Sequence, residues 1–139
     1  MLAQSPMFAN VPAQDFQRAK RWYEEKLGLT PTMDMGPDGA VYSPAGVTFL
    51  LYKTEFAGTG KHTIATIIVE DIDRAMTVMR AKGVSFEDYA MGDKGPNTTN
   101  GVDRDAASGM AAAWFKDSEG NILALTQLPP DIAKGLQPG

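Results

Sequence analysis

Apolar positions recur at two different spacings along this chain, and the switch between spacings lays out its elements. Phe16, Ala19, Trp22, Tyr23 and Leu27 recur at helical spacing behind Asp15, whose side chain suits a helix N-cap. Gly28 stands where such a helix would stop. The spacing predicts a first helix over about 15–27, with Arg18, Lys20, Glu24 and Glu25 turned outward. Before it, 7–12 reads as a short strand. After it, turn signals at 36–39 and 43–46 separate apolar runs at 40–42 and 47–52, which predicts three strands in a meander. The polar, Gly-rich stretch 54–61 is the only linker candidate.

The second half opens with a β-rich run over 62–69. Asp71 then caps a second helix with Ile72, Ala75, Met76 and Met79 on one face and Gly83 at its end. Another strand is expected over 84–89. The stretch 90–109 lacks periodicity and is rich in Gly, Asn, Thr and Asp, the composition of a binding loop or lid. A closing β-hairpin follows, with strands at 110–116 and 122–127 around the turn Asp117-Ser118-Glu119-Gly120-Asn121. Alternation puts Met110, Ala112, Trp114, Ile122 and Ala124 on one face and Phe115, Leu123 and Leu125 on the other. Both faces are apolar, so each needs a cover: helices on one, and a ligand is a candidate for the other. A tail over 128–139 begins with Leu128-Pro-Pro-Asp131 and can add a short helical turn.

The two halves repeat. Asp15-Phe-Gln-Arg-Ala19 and Asp71-Ile-Asp-Arg-Ala75 match in pattern. Each follows a strand, each helix ends at a Gly, and each is followed by further strands. The expected order is strand–helix–strand–strand–strand, twice, within one domain: a first module over about 7–53, the linker 54–61, and a second module over about 62–127. A unit of this size cannot cover its sheet alone, so pairing the two units is the natural solution.

Composition narrows the picture by exclusion. At 139 residues with 43% hydrophobic content, the chain can form a real core. No apolar run approaches the roughly 20 residues needed to span a bilayer, so no membrane partner is expected. The N-terminus lacks the basic and long apolar regions of a signal peptide, and a cytoplasmic location is the expectation. Zero Cys excludes disulfides, thiolate metal sites and Cys nucleophiles. The formal net charge is −4 with no basic cluster, which argues against nucleic acid as a partner. No Gly-rich phosphate loop or Gly-x-Ser-x-Gly elbow is present.

Three stretches together resemble the vicinal-oxygen-chelate superfamily, the glyoxalase, bleomycin-resistance and extradiol-dioxygenase group. Val11-Pro-Ala-Gln-Asp15 with Trp22-Tyr23 and Leu27-Gly-Leu29 is similar to its first-module signature. Val69-Glu-Asp-Ile-Asp-Arg-Ala75 with Gly83-Val84 is similar to its second, and Ala113-Trp-Phe-Lys-Asp-Ser-Glu-Gly-Asn-Ile122 to its closing hairpin. The likeness covers about residues 7–127. It implies an α+β fold of two βαβββ modules whose curved mixed sheet surrounds a cavity, commonly in a homodimer.

The resemblance also implies where a metal would sit in metal-dependent members: a His or Glu on the first strand of each module and a Glu on the last. Carried onto this chain, those positions are Phe8, Ile64, Phe49 and Ala124. None offers an oxygen or nitrogen ligand, so no metal and no other cofactor is expected. His62 lies two residues before Ile64 and shares its strand face if the strand extends so far; the alternative is an exposed strand-start His. The expected cavity-facing set is Phe8, Asn10, Phe49, Leu51, Ile64, Thr66, Ile68, Met110, Trp114 and Ala124. Asn10 and Thr66 would orient a small organic ligand, and Trp114 would be its main contact, under the 90–109 loop. The alternative is that these side chains simply fill the space as core.

The function expected is therefore a metal-independent small-molecule-binding protein sequestering an apolar or aromatic compound. Two alternatives stand beside it: a metal-dependent lyase, isomerase or dioxygenase of the same superfamily, and a non-catalytic dimerising module.

Overall fold

A computed structural model describes residues 2–135 of the chain. The two Asp residues of the repeat cap helices as their pattern predicts. The Asp15 carboxylate accepts the Arg18 N–H at 3.0 Å at the start of α1, Phe16–Leu27. The Asp71 carboxylate accepts the Arg74 N–H at 3.1 Å at the start of α2, Ile72–Ala81. Each bond satisfies a backbone donor that no helical carbonyl can reach, worth about 1 kcal/mol.

Each helix follows one strand and precedes three. The first module holds β1 (Ala9–Ala13), β2 (Met33–Asp34), β3 (Gly39–Tyr42) and β4 (Phe49–Lys53). The second holds β5 (Thr63–Ile68), β6 (Val102–Arg104), β7 (Ala111–Lys116) and β8 (Ile122–Gln127). A short helix α3, Pro130–Gly135, follows, and residues 136–139 of the expected tail lie outside the described residues. The sheets have orders β1-β4-β3-β2 and β5-β8-β7-β6. In each, the first and last strands of the module pair in parallel and the other neighbours are antiparallel. The fold class is α+β, two βαβββ modules, as expected. Among the described residues no helix is long and apolar enough to cross a membrane.

One expected strand is misplaced. Residues 84–89 form no strand; Phe86 makes a single bridge to Phe115, and the Glu87 N–H donates to the Trp114 carbonyl. The third element of the second module is β6, inside the stretch expected to be a loop. Asp88 takes the chain out of register with β7, because its carboxylate accepts the Thr98 hydroxyl and the Gly101 N–H at 2.8 and 2.9 Å. The chain then reverses through Asn100 and Gly101, at φ 51° and 80°, with Thr99 bridged to Val102. Positive φ at both central residues is what an Asn-Gly hairpin turn requires.

Helices cover one face of each sheet. Phe16, Ala19 and Tyr23 of α1 join Val11, Ala13, Ala40, Tyr42 and Leu51 in the core. Ile72, Met76 and Met79 of α2 join Ala111, Ala113, Phe115, Leu123 and Leu125 in the same cluster. Trp22 packs against that cluster and stacks on Phe115 at 6.2 Å, so α1 reaches the second module's sheet.

The turn between β7 and β8 docks into the first module. Asp117 accepts the Tyr23 hydroxyl at 2.7 Å and the Asn121 amide at 2.8 Å. Asn121 donates to the Pro12 carbonyl at 2.7 Å and accepts the Gly58 N–H at 3.2 Å. Glu119 accepts the Asp15 N–H at 2.7 Å and, in a bidentate pair, the Arg18 Nε–H and Nη2–H at 2.8 and 3.1 Å. Asp117, Glu119 and Asn121 are the buried polar side chains among the described residues, and each is bonded. Gly58 is needed for the fit: a Cβ there would lie 2.4 Å from the Glu119 carbonyl oxygen, at a φ of +74°.

Two buried tyrosines make a paired prediction. Tyr23 donates to Asp117, whereas the Tyr42 hydroxyl is buried without a partner among the described residues. Tyr23→Phe should lower stability by about 1.5–3 kcal/mol, the range for a bond to a charged group. Tyr42→Phe should leave stability unchanged or raise it, since it removes a desolvated hydroxyl and no bond. Urea denaturation of both variants measures the difference; equal losses would contradict it.

Candidate functional site

The face of each sheet turned away from its helix is only partly covered by the chain: Asn10, Thr66 and Ile68 are exposed there, whereas Ala124 is buried. In the second module the pairing Thr66–Ala124–Trp114 lies across that face. Ile68, Thr126, Ala112 and Asp103 form the neighbouring row, and Thr63, Ile122 and Lys116 the row on the other side. Phe115 is buried on the helix side, so alternation turns Trp114 to the open one. The Trp114 ring stands edge-on to Tyr89 at 5.7 Å, and its Nε1–H donates to the Thr63 hydroxyl at 3.1 Å. In the first module the open rows are Asn10–Leu50–Val41 and Pro12–Tyr52–Gly39.

Of the residues expected to face a cavity, Asn10, Thr66, Ile68, Trp114 and Ala124 lie on these open faces. Phe8 and Met110 each precede a strand, and both are exposed. Three expectations fail. Leu51 is fully buried under the helices. Phe49 stacks on Tyr42 at 4.9 Å and lies 6.2 Å from Tyr23 of α1. The reason is register: parallel pairing sets Phe49 against Ala9 and Leu51 against Val11. Leu50 and Tyr52 therefore take the open face instead, because a one-residue slip exchanges the two faces. Ile64 packs against the helix-side core, because a bulge between Thr63 and Ala65 breaks the alternation of β5.

The donors on the open faces do not fit a divalent ion. Asn10, Tyr52, Thr63, Thr66 and Thr126 offer neutral oxygens. Asp103 is the one carboxylate in these rows, on edge strand β6, and it accepts the Asn97 N–H. Among the described residues no three His, Cys, Asp or Glu side chains gather as a metal site. His62 is exposed ahead of β5, with its Cε1 3.0 Å from where a Cβ on Gly60 would be. A structural or catalytic ion requires several charged or imidazole donors at once, and this face lacks them.

The hairpin turn gathers the other titratable groups, and its bonding suits structure rather than acid–base work. Burial pushes the Asp117 carboxyl above its ordinary value, ahead of the opposing bonds from Tyr23 and Asn121. Burial also acts upward on Glu119, but the bonds from Arg18, the Asp15 N–H and Ser118, with the Arg18 charge, hold it below its ordinary 4.5. Burial and the Asp117 charge raise Tyr23 well above 10.0. Sequence reading took these residues only as turn formers. Their partners in the first module and the linker lie 63 to 109 residues away in sequence, so no local signal could reveal the dock.

Two clefts exist elsewhere. One of about 280 Å³ is lined by Asp15, Phe16, Asp38 and Lys53 among others. One of about 440 Å³ lies between α2 and β6. Neither touches the rows around Trp114 or Asn10.

Comparison with known proteins agrees with this geometry. Residues 7–125 match the family model of the Glyoxalase/Bleomycin resistance protein/Dioxygenase superfamily. A glyoxalase/bleomycin resistance protein from Catenulispora acidiphila is similar at 27% identity and TM-score 0.59, over 88% of this chain and 97% of that one. A glyoxalase/bleomycin resistance protein/dioxygenase from Alicyclobacillus acidocaldarius shares the fold at 15% identity and TM-score 0.67, over 93% and 95%. A lactoylglutathione lyase from Agrobacterium tumefaciens shares it at 14% identity and TM-score 0.64, over 89% and 93%. No curated protein matches the sequence.

Glu119 sets a pH dependence with a definite sign. Its folded carboxyl binds protons less readily than the unfolded one, so its contribution is present above the ordinary 4.5 and is lost as pH falls through the lower folded value. Asp117 acts oppositely, its ionised form being the costly one. Glu119→Gln should lower stability at neutral pH by about 1.5–3 kcal/mol. The gap to the parent should narrow as the pH drops below 4.5. A gap that stays constant across that range in urea melts would contradict the assignment.

Proposed function

We propose that this chain, which belongs to the Glyoxalase/Bleomycin resistance protein/Dioxygenase superfamily, holds a small apolar or aromatic compound without a metal ion and without breaking a bond in it. The observation that carries this reading is the open face around Trp114. A large, partly exposed ring, its N–H donated to the Thr63 hydroxyl, stands opposite the small Ala124, in a sheet row that ends at Thr66. Ala124 is itself buried, so a guest would lie over the partly exposed face of the Trp114 ring, with the Thr66 hydroxyl to orient it. Asn10, Thr66, Trp114 and Ala124 are the contacts proposed, with Phe8 and Met110 at the margin. The same face carries one carboxylate, Asp103 on edge strand β6, which is too few charged donors for an ion and favours this reading over a metal-dependent lyase, isomerase or dioxygenase.

The reading includes a homodimer in the cytoplasm. Each chain leaves two partly apolar sheet faces incompletely covered, among them Val41, Leu50, Tyr52, Ile68 and Trp114. Exposed apolar area of this kind calls for a cover, and a second copy supplies the same surface twice. The ligand would then lie between facing sheets.

Fluorescence titration with planar hydrophobic compounds, in a Trp22→Phe background, tests the site. Trp114 emission should be quenched saturably, and Trp114→Ala should weaken binding measured calorimetrically by about 1–3 kcal/mol. Equal binding by Trp114→Ala would sink the proposal. Elemental analysis after exposure to Zn, Ni, Mn and Fe should find no stoichiometric metal. An equimolar ion lost on His62→Ala would establish the enzyme reading instead. Light scattering should give the dimer mass, and a monomer at micromolar concentration would remove the facing-sheet site.

A further inference from the structure

The helix side of the second module carries a feature that the open-face reading does not use. Alternation along β6 turns Val102 and Arg104 toward α2 and Asp103 away, since Val102 pairs with Ala113 and Arg104 with Ala111, both core residues. The strand is only three residues long, and between it and α2 lies the cleft of about 440 Å³. That volume is within the range of small-molecule sites. Its walls include Asp73, Met76 and Arg80 from α2, with Asn97, Val102 and Arg104 from the returning chain.

Arg80 is held in place by two contacts that leave most of its donors unused. Its guanidinium lies over the Phe86 ring at 5.3 Å and donates through Nη2 to the Asn100 carbonyl at 2.9 Å. The Gly101 backbone permits this: a Cβ there would stand 3.2 Å from Arg80 Nη2 and 2.9 Å from Phe86 Cβ. Asn100 is Arg80's one hydrogen-bond partner among the described residues, which uses one of the five N–H donors of a guanidinium. Arg104, the second guanidinium of the cleft, pairs with Asp73 with both side chains largely in solvent. Two cations and one anion leave a formal charge of +1 in the cleft. Met76 is almost fully buried and Val102 half-buried, which gives the cleft an apolar wall beside the charge.

We propose that the α2–β6 cleft binds a small organic monocarboxylate, separately from the open sheet face. A planar carboxylate matches the fork of Arg80 in a way a point charge does not, and Arg104 stands in the same cleft to share it. The net single positive charge favours a monoanion over a dianion. The Met76 and Val102 wall accepts an apolar body, which a bare inorganic ion lacks.

Benzoate is the probe, titrated into the full chain at low ionic strength and followed by amide chemical shifts. Saturable shifts are expected over residues 97–104 and in α2, with inorganic phosphate competing only weakly. Arg80→Gln should weaken the binding about tenfold or more, and Arg80→Lys should weaken it too, because the charge remains but the fork is lost. Trp114→Ala should leave it unchanged, which separates this site from the open face. Should Arg80→Gln fail to fold, Arg104→Gln, a change at a half-exposed edge position, should still weaken benzoate. The proposal is overturned by shifts that never saturate, by phosphate competing as well as benzoate, by undiminished binding in the arginine variants, or by loss of binding in Trp114→Ala.

Discussion

A five-residue turn inserted between two modules is the constraint on which the rest of the structure depends. Each module has a sheet with a helix on one side and no helix on the other. What fixes the halves is the turn Asp117–Asn121, which bonds the end of β1 through Pro12, the start of α1 through Asp15 and Arg18, its middle through Tyr23, and the linker through Gly58. Burying two carboxylates and an amide is unfavourable unless every one is bonded, and all three are. Such a cluster tolerates little displacement, since losing one partner strands a buried group. The apolar stack of Trp22 on Phe115 adds a non-directional contact beside this directional one.

The dock determines what is left for function. Because α1 is tied to the tip of the β7–β8 hairpin, both helices lie in one continuous core. The helix-free faces remain open, with Trp114 on one and Asn10, Leu50 and Tyr52 on the other. Those faces carry aromatic and aliphatic side chains with a few hydroxyl and amide groups, and Asp103 and Lys116 in their outer rows. That chemistry suits contact with an organic molecule and offers a divalent ion too few donors. Other charged groups gather in the docked turn and in the α2–β6 cleft.

The sequence disclosed the elements that have unambiguous local punctuation. Asp15 and Asp71 mark the helix starts because only short polar side chains reach back to an orphan N–H. The closing hairpin was legible because Trp114 and Phe115 alternate between turn formers and a second apolar strand. The face of β4 was not, because Phe49, Leu50, Leu51 and Tyr52 are all apolar and alternation has no polar residue to set its phase. Pairing with β1, a contact across the module, chose Phe49 and Leu51 for the core. Ile64 was lost to a bulge, which adds a residue without a sequence marker in this run. The Asn100-Gly101 pair did carry a hairpin signal, yet β6 is too short to show periodicity. The dock and the cleft were invisible for a different reason, since their bonds join residues distant in sequence.

If the docked turn is what makes two half-covered sheets a single fold, the modules must unfold together. The chain carries one Trp in each: Trp22 in α1 and Trp114 in β7. Urea unfolding of Trp114→Phe follows Trp22, in α1 at its contact with Phe115, and unfolding of Trp22→Phe follows Trp114 on the second sheet. Each transition should coincide with the loss of far-UV helix signal in the same variant. A Trp signal that changes in one module while the bulk of the helix signal persists would contradict the claim that the turn joins them.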